Sequence, residues 1–256
     1  MPFAVAALFG STADLAVAKE PAVSQSNLKV TGAGGTVDGD GAWLGAAGFT
    51  APLGQSWGMQ GEAGILGVDD DTVYGTAGHV YMRDPESYLA GLFAAYASED
   101  KFDVDATRVG AEVEFYLDQV TLLAKAGYQF SDLLSETAFG DIELRWYLSD
   151  NFALSGGGSF DENSSLGRVS GEWLLGSSAL PGLALRAEAV VGEGDYDSVM
   201  GGVTYYFGGD SSLKDRHRKQ DPDSALFGLF QSIEREKAEL CKLYQCDGPP
   251  PPPPPT

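Results

Sequence analysis

Residues 107–117, TRVGAEVEFYL, decide the fold. Val109, Ala111, Val113, Phe115 and Leu117 fall on one side, and Arg108, Gly110, Glu112, Glu114 and Tyr116 on the other. Strict alternation over this length specifies a strand, because successive side chains of an extended chain point to opposite faces. Asp118-Gln119 then makes a two-residue turn. The returning strand puts Val120, Leu122, Ala124, Ala126, Tyr128 and Phe130 on the apolar face and Thr121, Lys125, Gly127 and Gln129 on the other. Counting back across the turn sets Glu112 opposite Lys125, an opposite-charge pair that supports the register.

The pattern spreads outward from this hairpin. Asp141, Glu143, Arg145 and Tyr147 alternate with Ile142, Leu144, Trp146 and Leu148. Arg168, Ser170 and Glu172 alternate with Val169, Trp173 and Leu175; Arg186 and Glu188 with Leu185, Ala187, Ala189 and Val191. Earlier strands are plainer, since Gly and Ala dominate both faces. Turn signals predict twelve strands, at about 28–37, 42–52, 56–68, 72–82, 88–98, 105–117, 120–131, 138–148, 151–160, 165–176, 183–192 and 198–207. Such lengths suit tilted strands crossing a bilayer. A soluble sandwich also alternates, but its polar face looks at water. Here the polar faces carry Arg/Glu mixtures at mid-strand, as a filled polar lumen does. The apolar faces end in Trp146, Tyr128, Phe130, Trp173, Tyr205 and Phe207, as interfacial aromatic girdles do. Spanning backbone must satisfy its hydrogen bonds internally, so the strands must close. The expectation is an all-β, antiparallel transmembrane β-barrel of about twelve strands with a short α-helical tail.

Composition alone points elsewhere. The 256 residues carry 37 Asp+Glu against 16 Lys+Arg, a net charge of −21, and no apolar run reaches helix-spanning length. Nucleic acid is excluded as a partner, because phosphate binding needs a basic surface. The chain divides into an Ala-rich leader (1–26), a Gly- and aromatic-rich middle (27–207) and a charged tail (208–256) ending in seven prolines. The leader reads as a signal peptide with Ala16-Val17-Ala18 as its cleavage site, although no base precedes the apolar part and Asp14 interrupts it; a linker is the other reading.

Residues 27–207 resemble proteobacterial outer-membrane β-barrel proteins of the porin-like superfamily, through the repeated Gly/aromatic hairpins and the closing strand 199–207, VMGGVTYYF. The resemblance implies that Val203, Tyr205 and Phe207 form the signal read by the barrel-assembly machinery, a partner together with outer-membrane lipid and lipopolysaccharide. It also implies a bacterial outer-membrane location. That signal normally ends a chain, whereas 49 residues follow Phe207 here. An even strand number places both termini on one side, expected to be periplasmic.

With that orientation the outer connections gather acids: Asp69, Asp70 and Asp71, Glu99, Asp100 and Asp103, and Glu193, Asp195 and Asp197 lead the set, with Lys101 the one base. An acidic mouth concentrates cations; the same carboxylates could bridge divalent ions to lipopolysaccharide, or simply solvate the loops. The lumen wall is nearly balanced. Arg108, Lys125, Arg145, Arg168 and Arg186 face Glu112, Glu114, Asp141, Glu143, Glu172 and Glu188. These charges either interlock and plug the barrel or line a narrow pore. The expected function is a narrow passive pore for small solutes or ions. The alternative is a non-conducting structural barrel whose tail binds a periplasmic partner, and a lipid-modifying enzyme ranks below both. Of the two histidines, His217 lies in the tail and His79 has no Ser at an obvious cross-strand position, so no catalytic residues, metal or cofactor are expected.

In the tail, Lys214-Asp215-Arg216-His217-Arg218-Lys219 reads as a lipid-phosphate patch or a solvated linker. Asp223 or Ser224 can cap a helix over about 223–244, whose apolar positions Leu226, Leu229, Phe230, Ile233 and Leu240 share one face. That helix could plug the periplasmic mouth or dock a partner. Cys241 and Cys246 are close enough for a local disulfide, though free thiols are equally compatible. The prolines favour an extended rod, as ligand or spacer.

Overall fold

The computed structural model describes residues 20–99, 104–131, 136–162, 164–176 and 179–244, the last six by backbone alone. Twelve antiparallel strands form a closed barrel in which each strand pairs with its chain neighbours and the first with the last. They are β1 (Asn27–Val37), β2 (Asp40–Pro52), β3 (Trp57–Val68), β4 (Asp71–Asp84), β5 (Tyr88–Glu99) and β6 (Val104–Leu117), then β7 (Val120–Ser131), β8 (Thr137–Ser149), β9 (Phe152–Asp161), β10 (Ser165–Leu174), β11 (Leu183–Gly192) and β12 (Asp197–Tyr206). Two helices follow, α1 (Leu213–Lys219) and α2 (Leu226–Tyr244). Closure satisfies both edges, with Lys29 opposite Tyr206 and Val37 opposite Ser198.

The founding hairpin stands as its alternation requires, with Glu112 opposite Lys125. Arg108, Glu112, Glu114 and Tyr116 are buried inside, while Val109, Phe115 and Leu117 are exposed outside. The exterior is apolar at mid-strand, where Leu92 and Val169 are more than 60% exposed. Trp43, Tyr74, Tyr96, Phe130 and Phe160 ring one end of it, and Phe49, Trp57, Phe115, Trp146, Trp173 and Phe207 the other. No described helix is long and apolar enough to cross a membrane, a test that does not bear on strands.

We call the rim holding the start of β1 and the end of β12 the near rim, and the other the far rim. Residues 20–26, expected as part of a leader or linker, pack at the near rim. Ala22 and Val23 are buried, and Ser24 N–H donates to the Lys219 carbonyl; residues 1–19 lie outside the described residues. Two hairpin turns use aspartate at positive φ, Asp38 (φ 50°) and Asp69 (φ 51°), as does Asp118 (φ 46°) at the near rim. Asp tolerates this left-handed backbone, so part of the acidity follows from turn geometry.

The tail departs from expectation. Residues 214–219 are neither a solvated linker nor an exposed lipid patch: they belong to α1, with Arg216, His217 and Arg218 buried. The anticipated single helix begins three residues later, at Leu226. Ser224 caps it, its Oγ accepting from the N–H of Leu226 (3.2 Å) and Phe227 (3.5 Å). Asp223 does not cap, because its carboxylate is engaged elsewhere.

Candidate functional site

The barrel lumen is the only space enclosed by the strands, and the tail occupies it from rim to rim. At the near rim, Ser212 caps α1 by accepting from Asp215 N–H at 3.1 Å. The Lys214 N–H donates to the Asp150 carbonyl in the β8–β9 turn at 2.9 Å. Arg218 crosses to β7, donating to the Val120 carbonyl at 2.8 Å and Thr121 Oγ1 at 3.1 Å. Its guanidinium lies between the rings of Tyr116 and Tyr147, 5.2 and 5.3 Å from their centroids. His217 contacts Tyr147 Oη at 3.1 Å and Glu172 at 3.4 Å. Burial pushes its imidazole down, helped by Arg145 and opposed by Glu172.

The α1–α2 link crosses mid-lumen. Asp223 binds Lys125 Nζ at 2.9 Å and Arg145 Nη2 at 3.0 Å. Two cations thus share one carboxylate. Glu143 completes the network, bridging Arg145 (2.7 Å) and Arg168 (2.9 Å). On the opposite wall Ser224 Oγ donates to Glu62 at 2.6 Å. Beside it His79 Nδ1 lies 2.9 Å from Glu112, and its Nε2 3.6 Å from Glu62.

Helix α2 then runs to the far rim. Leu226, Leu229, Phe230 and Ile233 are fully buried among Val73, Phe93, Ala95, Phe139 and other wall residues. Gly75 makes room for this seam: a Cβ there would lie 2.5 Å from Leu226 Cδ1. Arg108 donates to the Gly228 carbonyl at 3.1 Å and stacks on Phe139 at 4.4 Å. At the rim Arg235 pairs with Asp161 at 2.8 Å, and Lys237 with Asp71 at 3.2 Å and Glu99 at 3.6 Å. A cavity of about 110 Å³ remains between the tail and the wall, lined in part by Lys29, Arg145, Arg168, Arg186, Glu172 and His217.

No protein-family profile and no curated protein sequence matches the chain. Solved structures do. A KdgM porin in complex with disordered oligogalacturonate superposes with a TM-score of 0.57 at 7% identity, over 70% of this chain and 99% of that one. The NanC porin gives 0.54 at 8%, over 70% and 98%. An outer-membrane channel from Pseudomonas putida F1 gives 0.54 at 6%, over 77% and 100%. The chain shares the closed antiparallel barrel fold of these porins and channels.

Within this porin-like barrel the eleven charged wall residues singled out by sequence all turn inward, but not into simple wall-to-wall pairs. Lys125 and Glu112 share a register position yet engage Asp223 and His79 instead. Arg186 approaches Glu188 at 3.8 Å and lies over Phe227. Glu188 accepts from Gln231 at 2.8 Å. Tyr116 Oη donates to Glu114 at 2.9 Å and Tyr206 Oη to Glu172 at 2.7 Å. Asp141 faces the smaller cavities beside Arg108. At the far rim Asp69, Asp70, Glu193, Asp195 and Asp197 are exposed, whereas Asp71 and Glu99 receive Lys237. Asp100, Asp103 and Cys246 lie outside the described residues, and Cys241 is described by backbone alone. Val203, Tyr205 and Phe207 face outward on and just after β12.

Sequence reasoning missed the tail as the main partner of the lumen. Arg235 and Lys237 were not singled out, Arg218 was read only within a basic run, and Asp223 only as a cap. A signal existed in the order of charges. Asp223 precedes the helix and meets basic wall residues, while Arg235 and Lys237 lie within it and meet an acidic rim.

Proposed function

We propose that the chain is an outer-membrane porin-like barrel whose path for small ions or solutes is closed by its own C-terminal tail. The carrying observation is Asp223, fixed at mid-lumen between Lys125 and Arg145 where a permeating species would pass. The far rim faces outward in this reading, and its exposed acids, Asp69, Asp70, Glu193, Asp195 and Asp197, favour cations over anions once the path opens. Outer-membrane lipid and lipopolysaccharide contact the apolar exterior, and the assembly machinery reads Val203, Tyr205 and Phe207.

No catalysis is assigned. His79 engages Glu112 and Glu62, and the Ser224 hydroxyl donates to Glu62 rather than to an imidazole, so no activated nucleophile is assembled around it. The completeness of the filling supports a second reading, a barrel that never conducts. Planar-bilayer recording separates the two. The intact chain is expected to stay mostly silent, with rare cation-preferring steps. Asp223→Ala, which leaves Lys125 and Arg145 without their carboxylate, is expected to raise open probability at least tenfold. A folded Asp223→Ala barrel as silent as the parent would favour the non-conducting reading.

A further inference from the structure

The route of the tail has a topological consequence. β12 ends at the near rim, at Tyr206, beside the start of β1. From there α1 is fastened to the near-rim turns through Asp150, Asn151 and Gln119. The link meets the wall at mid-depth, and α2 reaches Asp161, Asp71 and Glu99 at the far rim by residues 235 and 237. The stretch from Leu226 to Lys237 rises about 18 Å, enough to reach the rim from mid-depth of the ~25 Å apolar band of such barrels. The seven residues from 238 to Tyr244 continue the helix about 10 Å further along its axis.

We propose that the barrel also carries its own C-terminal helix across the membrane, placing Tyr244 on the face opposite the start of β1. This rests on the membrane-barrel reading above and adds a function to it: the barrel is an anchor that displays a segment on its far side. A return is blocked on both routes. Through the lumen it would need the space that the link and α2 already occupy. Crossing the bilayer outside the barrel would strand unpaired backbone groups in hydrocarbon. The segment so delivered includes prolines 249–255, a composition that aromatic-lined grooves of partner proteins bind.

The ion pairs also polarise the route. Acidic residues of the link meet the basic mid-wall, and basic residues of α2 meet the acidic far rim. Reversing the helix would bring Arg235 and Lys237 toward Lys125, Arg145 and Arg168 and forfeit both sets of pairs.

The test is sided labelling of the full chain in the outer membrane of a Gram-negative host. In a Cys241→Ser, Cys246→Ser background, single cysteines replace Asp70 (far-rim turn), Glu86 (near-rim turn) or Thr256. A membrane-impermeant maleimide is applied to intact cells and again after the outer membrane is permeabilised. The expected result is that in intact cells Thr256→Cys behaves as Asp70→Cys does and Glu86→Cys gives the opposite outcome, while all three label after permeabilisation. If Thr256→Cys groups with Glu86→Cys while Asp70→Cys differs, the threading is overturned and the barrel stands. If Asp70→Cys and Glu86→Cys react alike in both conditions, the sided barrel itself is overturned and the threading falls with it.

Discussion

Asp223 is the residue on which the closed lumen turns. Its side chain is 28% exposed and shared between Lys125 and Arg145, so removing it leaves two cations in a poorly solvated interior. Asp223→Ala is expected to weaken docking of the tail by about 2–3 kcal/mol, below the full cost of breaking a dry pair because solvent reaches the site. Limited proteolysis of the tail reports this as faster cleavage after residue 211. The pH dependence follows from the same ion pairs. An aspartate paired with two cations strengthens docking while it is ionised, above its ordinary value of about 3.9, and loses the contribution as acid protonates it. Conductance of the intact protein is therefore expected to be flat in this contribution from pH 7 to 5 and to rise only below about pH 4. Asp223→Asn is expected to raise the baseline and blunt that acid rise; an unchanged rise would assign it to other groups.

Among the elements, the β1–β12 seam tolerates little added bulk. A Cβ on Gly35 would sit 1.9 Å from the Val199 carbonyl oxygen, and one on Gly202 2.2 Å from that of Gly32, whereas Gly32 itself has nothing within 4 Å. Gly35→Val is expected to abolish the heat-modifiable folded band on SDS gels, and Gly32→Ala to leave it intact. The exterior offers a second check. Val169, 63% exposed at the middle of β10, faces lipid in this account. Val169→Arg is expected to cost about 2–4 kcal/mol in folding from denaturant into bilayers; a change near zero would argue that water covers that face. These strands were legible in the sequence because a barrel wall imposes period 2 on every one of them, and the Glu112–Lys125 register could be counted from a single turn. The plainest strands, β1 and β2, were placed by turn signals rather than by alternation. The tail was legible only as an amphipathic helix. Nothing in the periodicity of Leu226, Leu229, Phe230 and Ile233 says which surface receives them, since the receiving surface is assembled from strands far away in the chain. The charges of residues 214–219 read as solvated for the same reason: their partners, Tyr116, Tyr147 and Glu172, come together only when the barrel closes.

At the scale of the molecule, the −21 charge resolves into separate jobs. Aspartates at positive φ turn the chain, buried carboxylates receive the cations of the tail, and further acids stand exposed at the far rim. The wall is polarised so that the tail enters in one direction only, and the filled lumen makes closure a property of the whole chain rather than of any one loop. The account's central claim is that the tail occupies the lumen and thereby closes it. The most direct test is single-channel recording of Glu99→Cys/Lys237→Cys, with Cys241→Ser and Cys246→Ser, joined by a short bis-thiosulfonate linker that reductant cleaves. The predicted result is efficient linkage, near silence while linked, and conductance steps after reductant frees a tail that has lost its far-rim ion pairs. Failure to link in a folded barrel, or a linked protein that conducts as well as the reduced one, would contradict it.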